Sequence, residues 1–152
     1  MNLKRAVYLL MVVTVLVFPL QPVFGDDLAD LHAIFNQDVR LFNGQNPTAF
    51  SATAHNDVVL FGILSPFAIK GKEAVRQVVT EYLADHQRVS FTPINPEFVV
   101  KGSDALAWGH YSISEIPKVG LRVTIHGRYT FAYTKIDGRW TLVALHFSPL
   151  QG

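Results

Sequence analysis

Asp38 is the acid whose setting could make it reactive. It stands three residues after Phe35 and four before Phe42, on or beside the apolar stripe of a helical segment. A carboxylate there can look into a core, where desolvation disfavours its charge and raises its pKa towards that of a general base. The competing reading is an acid at the stripe's edge that reaches solvent or caps backbone, since ionised acids are rarely fully buried. A second constellation is aromatic. Tyr129, Phe131, Tyr133, Phe147 and Tyr111 recur on strand-like runs and can form one inner face. Such a face suits a flat apolar ligand, and it is equally what a buried sheet face needs for packing. If the site is catalytic, Asp38 is the base and Tyr129 or Tyr133 the hydrogen-bond donor.

Other chemistry is thinly represented. The six histidines show no metal-ligand spacing, so no metal is expected. The chain has no cysteine, which excludes disulfides, thiolate catalysis and cysteine metal sites. It contains no glycine-rich phosphate loop, nucleophile elbow or dinucleotide fingerprint, so no cofactor is expected.

The elements that position these residues follow from periodicity. Residues 26–42 carry Leu28, Leu31, Ile34, Phe35, Val39 and Phe42 at helical spacing, and Asn43-Gly44-Gln45-Asn46-Pro47 ends the run. A short helix is expected from Pro47 to Ala54, a strand from Asp57 to Gly62, and a loop or poor strand broken by Pro66. A further helix is expected from Gly71 to His86. Four β-rich runs follow at 89–100, 105–115, 121–135 and 140–147, separated by turn residues. Helices first and a strand meander after imply an α+β class, with a curved antiparallel sheet wrapped around the N-terminal helices.

The last hairpin has two possible registers. A three-residue Ile136-Asp137-Gly138 loop with a glycine bulge pairs Tyr129 with Leu145, Phe131 with Val143 and Arg128 with His146. This keeps the apolar face apolar on both strands and is the expected arrangement. A two-residue Asp137-Gly138 turn would instead place His146 in the pocket beside Tyr129, as an acid–base candidate. In the expected register Arg128, Trp140 and His146 share a half-apolar outer face, which reads as a subunit interface.

The N-terminus has the layout of a secretory signal peptide. Lys4 and Arg5 precede an uncharged run from Ala6 to Phe18, then Pro19 and Pro22, and Val23-Phe24-Gly25 offers a cleavage site before Asp26. A spanning helix needs about 20 apolar residues, and this run is shorter and ends at a proline. Residues 1–25 are therefore expected to be cleaved, leaving 26–152 as one secreted or periplasmic domain with no stable membrane span. Loss of Lys4 and Arg5 leaves 11 basic against 12 acidic residues, with no electrostatic footprint for nucleic acid.

The order of elements, with Asn95-Pro96, Gly102-Ser103-Asp104-Ala105 and Asp137-Gly138-Arg139-Trp140 ahead of His146 and Ser148, resembles the SnoaL-like and nuclear transport factor 2-like superfamily. Arg128 and Thr130 stand where this group often shows Arg-x-Thr. Within the superfamily the chain is similar to the association domain of calcium/calmodulin-dependent protein kinase II and its bacterial relatives. The resemblance implies a cystatin-like cone with an internal pocket and a homodimer or larger homo-oligomer. The fold hosts isomerases, dehydratases, hydrolases and non-catalytic assembly modules. The resemblance places the acid of ketosteroid isomerase-like members near Phe61 or Gly62, neither of which can take a proton. It places the basic pocket of the kinase domain at Ser112, Phe131 and Phe147. The function expected is therefore binding of a small apolar ligand or assembly, without catalysis. The alternatives are an Asp38-based isomerase, dehydratase or hydrolase, and a structural partner-binding dimer.

Overall fold

The computed structural model describes residues 26–150. The proposed signal peptide, residues 1–25, lies outside them.

Helix α1 spans Asp27–Asn43. The Asp26 carboxylate accepts the Leu28 N–H at 3.1 Å, satisfying one of the free amides of its first turn. The Gly44 N–H closes the other end on the Arg40 carbonyl at 2.8 Å. Helix α2, Pro47–Ala52, begins with proline and is capped by the Asn46 side chain on the Ala49 N–H at 2.9 Å. Strands β1, Ala54–Gly62, and β2, Ser65–Lys70, precede helix α3, Lys72–Ala84. Then come β3, His86–Lys101, β4, Asp104–Pro117, β5, Val123–Ile136, and β6, Arg139–Pro149.

The six strands form one sheet in the order β2-β1-β6-β5-β4-β3. Neighbours are antiparallel except β1 and β6, which run parallel. The α+β class is as expected, and the sheet is antiparallel but for that one pair. The stretch read as a loop or poor strand is strand β2. It is an edge strand, where the missing N–H of Pro66 breaks no ladder bond that the sheet requires. Strand β3 tolerates Pro93 and Pro96 for the same reason, with Asn95 at φ 49° where its pairing with β4 slips. The free edge of β3 is covered from α1. Asn43 accepts the Phe91 N–H at 2.7 Å and donates to the Phe91 carbonyl at 2.9 Å, and Gln45 donates to the Val89 carbonyl at 2.9 Å. These side chains stand in for a seventh strand and shield an edge that could pair with another chain.

The β5–β6 hairpin corrects both registers considered from sequence. Ile136 pairs Arg139 across a two-residue turn, with Asp137 at φ 50° and Gly138 at φ 76°. Positive φ at both central residues is the tight turn whose twist matches the strands. The register then shifts between Tyr133–Leu142 and Ala132–Ala144, leaving Val143 as an extra residue in β6. Beyond that bulge Phe131 faces Leu145, Tyr129 faces Phe147, Thr130 faces His146 and Arg128 faces Ser148. The bulge reverses the parity of β6, so Trp140 and Leu142 lie on the same inner face as Leu145 and Phe147. Trp140 therefore leaves the proposed interface. It is 6% exposed, and its indole N–H donates to the Asp27 carbonyl at 3.0 Å.

Candidate functional site

Phe91 is the hub of the core. Its ring lies 5.6–6.2 Å from those of Tyr129, Phe147, Tyr111 and Phe131. Phe35 brings α1 onto the same cluster through Tyr129 and Phe131. These contacts are the stacked, tilted and edge-on geometries that aromatic quadrupoles favour. Over the cluster lies a cavity of about 50 Å³, between the helices and the sheet. Its lining includes Asp38 and Phe42 of α1, Ile63 and Leu64 of the β1–β2 turn, Tyr82 of α3, and Phe131 and Phe147 of the sheet. Of the five aromatic residues expected to line a pocket, Phe131 and Phe147 do so. Tyr111, Tyr129 and Tyr133 lie in the packed core instead. The cavity is partly open to solvent, and its enclosed space is well below the roughly 300 Å³ of a ligand pocket.

Asp38 is 0% exposed, contrary to the solvent-reaching reading. The Tyr133 hydroxyl donates to its Oδ2 at 3.1 Å, and its Oδ1 has no hydrogen-bond partner. Burial pushes the carboxyl up from 3.8 to about 6, against the downward pull of the Thr53 and Tyr133 hydroxyls. The Thr53 hydroxyl is placed to donate to the Phe50 carbonyl at 2.7 Å, which leaves Tyr133 as the donor actually engaged. Burial, and then the Asp38 charge, raise the Tyr133 phenol well above its ordinary value. This pairing of α1 with β5 joins residues 95 positions apart. The hydroxyls of Tyr111 and Tyr129 are likewise buried without partners, and burial raises both phenols, Tyr129 to about 12.

Sequence reasoning missed a second polar cluster, which α3, β3 and β4 assemble at the opposite end of the sheet from the Asp38–Tyr133 pair. Tyr82 donates to Glu115 Oε1, while Glu115 Oε2 lies 3.6 Å from His86 Nε2. His86 Nδ1 is 2.7 Å from the Tyr82 carbonyl, which can only accept, so Nδ1 carries a proton. Burial and the Glu115 carboxylate both raise the Tyr82 phenol. No spacing in the sequence announces this cluster, because Glu115 meets its partners only through the β3–β4 register.

Arg128 and His146 are exposed on the outer face of the sheet, as expected. They lie in adjacent rows rather than opposite each other: Arg128 faces His110 and Ser148, and His146 faces Thr130.

A model of the SnoaL-like domain matches residues 31–151. The chain belongs to this family. Among solved structures, a candidate calcium/calmodulin-dependent protein kinase II association domain from Xanthomonas campestris superposes with a TM-score of 0.72 at 20% identity, covering 83% of this chain and 89% of that one. A candidate scytalone dehydratase from Novosphingobium aromaticivorans gives 0.73 at 13% identity, covering 82% and 84%. A nuclear transport factor 2-like superfamily protein from Salmonella enterica serovar Typhimurium gives 0.72 at 14% identity, covering 82% and 94%. At these identities the likeness is one of SnoaL-like, cystatin-like fold. No curated protein matches the chain. The buried carboxylate of this chain, Asp38, stands on α1, and the end of β1 carries Phe61 and Gly62.

Proposed function

We propose that the cone binds a small, mostly apolar molecule and that Asp38 transfers a proton to or from it, as in an isomerase or dehydratase. The observation that carries this reading is the buried Asp38 carboxylate, with one oxygen held by Tyr133 and the other unpartnered beside an apolar cavity. A carboxyl held near 6 exchanges its proton readily around neutral pH, and the free Oδ1 is the atom that would accept it. This gives more weight to catalysis than the sequence did, because the solvent-reaching alternative required an exposed acid. The test is turnover of a panel of small cyclic ketones, hydroxylated aromatics and epoxides by wild type and Asp38→Asn. General acid–base loss is worth about 10²–10⁴-fold, so turnover should fall by that factor with binding retained. Turnover unchanged by the substitution would rule out the proton-transfer role. Binding without turnover by the wild type would leave a carrier.

A homodimer through the outer sheet face is a second proposal, supported by one row of residues. Val59, Ala144, Ala132, Leu106 and Val99 cross the sheet in register, and Leu106 is 41% exposed. Arg128 borders that face. Sedimentation should show a dimer that Arg128→Glu dissociates. A wild type that stays monomeric at high concentration would exclude it.

Export is proposed on the N-terminal layout. It is supported by the position of Asp26, which caps α1 directly after Gly25, so cleavage there leaves the fold intact. N-terminal sequencing of the protein recovered from its producing cells should begin at Asp26. A chain that retains Lys4 would contradict cleavage.

A further inference from the structure

The largest exposed apolar side chains are not scattered. Val119 is 91% exposed, Leu121 87% and Phe67 79%, the three highest values among large apolar residues. The register places all three at one end of the molecule. Val119 and Leu121 lie between the end of β4 and the start of β5, where Glu115 pairs with Val123. Leu150, at the end of β6, bonds back to His126 of β5 through its N–H at 2.8 Å, and Phe67 stands beside the β1–β2 turn. Because β1 and β6 are parallel, that turn lies at the same end. Ile63 and Leu64 of this turn, and Tyr82 near the end of α3, line the cavity. The exposed apolar crown therefore surrounds the end towards which the cavity is built.

Charge at this end is asymmetric. Lys118 and Arg122 flank the two aliphatic side chains directly, and Arg88 is exposed near the start of β3. Glu115 is held internally by Tyr82 and His86, while Glu81, exposed near the end of α3 and bonded by the Gln77 amide at 2.9 Å, keeps its charge and stands off the loop. Asp85 is the exposed acid beside the loop, and its carbonyl holds the Lys118 N–H at 3.2 Å. Aliphatic side chains projecting between cations suit an interface that is anionic at its surface and apolar beneath.

We propose that the Lys118–Arg122 loop docks on an anionic lipid membrane, with Val119 and Leu121 entering the acyl boundary and Lys118 and Arg122 pairing with headgroups. The cavity end then faces the bilayer, which is where an apolar ligand would be concentrated. The proposal is independent of the role of Asp38.

The chain has no cysteine, so single labels can be placed cleanly. Leu121→Cys carrying an environment-sensitive nitrobenzoxadiazole label reports on the loop, and Ser103→Cys at the opposite end of β4 is the control. With vesicles of phosphatidylglycerol and phosphatidylcholine, the label at 121 should brighten several-fold, shift to the blue and be quenched by lipid-borne nitroxide. The label at 103 should stay in water. Combining Lys118→Glu and Arg122→Glu with the 121 label should abolish the response, with the fold checked by circular dichroism. A label at 121 that stays in water overturns the proposal, even if the whole chain floats with the vesicles, since the N-terminal segment would then be the anchor. Brightening that needs no lipid and grows with protein concentration also overturns it, because a second copy would be covering the loop. A response indifferent to charge reversal overturns the anionic assignment.

Discussion

Asp38→Asn should stabilise the protein at neutral pH and lose that advantage in acid. The native carboxyl sits at about 6, above its unfolded value of 3.8. The folded state therefore binds the proton more tightly than the unfolded state does. Its contribution is fully present below pH 4 and is lost as pH rises through 6. At about 1.36 kcal/mol per pKa unit, the loss approaches ~3 kcal/mol by pH 7. Asparagine carries no charge and can still accept from Tyr133, so it escapes that loss. Its amide must find an acceptor in place of the unpartnered Oδ1, which reduces the gain by ~1 kcal/mol or more. The measurement is denaturant unfolding of both proteins at several values between pH 4 and pH 7. The difference between them should open across that window. A constant difference would show that the acid is not buried in the charged form at neutral pH, and the raised basicity behind the proposed chemistry would go with it. No substrate is needed for this experiment. A protein that gains stability when its buried acid is neutralised is keeping that acid for something other than folding.

The helices were legible because their stripes are regular and their ends are marked. Asp26 and Asn46 cap, Pro47 opens α2, and Gly71, at φ 93°, precedes α3. Strand β2 was harder to see, because a proline reads as a break unless the strand is known to lie at an edge, and the edge is a property of the whole sheet. The bulge at Val143 was invisible for a related reason. Asp137-Gly138 announces a two-residue turn correctly, yet strict alternation beyond it would have put His146 inside and Phe147 outside. Inserting the bulge in the loop kept the pattern apolar, and nature inserts it in β6 instead. Trp140 was misplaced by that one-residue choice alone. The site was half legible. The stripe placed Asp38 beside the core, and the period-two run offered Tyr133 as a donor. Neither pattern could say that the carboxylate would be enclosed, since enclosure depends on α2 and β5 closing over α1. The cluster of Tyr82, Glu115 and His86 gave no signal, because three separate elements supply it.

Gly127→Ala should destabilise the protein by ~3 kcal/mol or more, at the upper end of what overpacking costs in a tight core. Gly127 interrupts the buried face of β5 between Ile125 and Tyr129, and its direct partner across the ladder is Tyr111. The Tyr111 ring fills the space that a side chain would take. A Cβ at 127 would fall 2.5 Å from Tyr111 Cε1 and 2.5 Å from the Ser148 carbonyl oxygen. Neither can yield cheaply. Tyr111 is fully buried against Phe91 and Phe147, and Ser148 is tied into the β5–β6 ladder opposite Arg128. The backbone at 127 does not need a positive φ, so the whole cost is steric, and thermal unfolding should move down by roughly 10 °C. Tyr111→Leu in the same chain removes the ring clash and leaves the one with Ser148. The double variant should therefore recover part of the loss, and the cycle should show favourable coupling between the two sites. Gly127→Ala at wild-type stability would mean that the ring does not lie over the glycine. The substitution also bears on the cavity. Tyr111 touches Phe91 and Phe147, and both line the cavity that Asp38 adjoins. A displaced Tyr111 ring would therefore reach the proposed site through two packed phenylalanines, changing ligand binding without contact to the ligand.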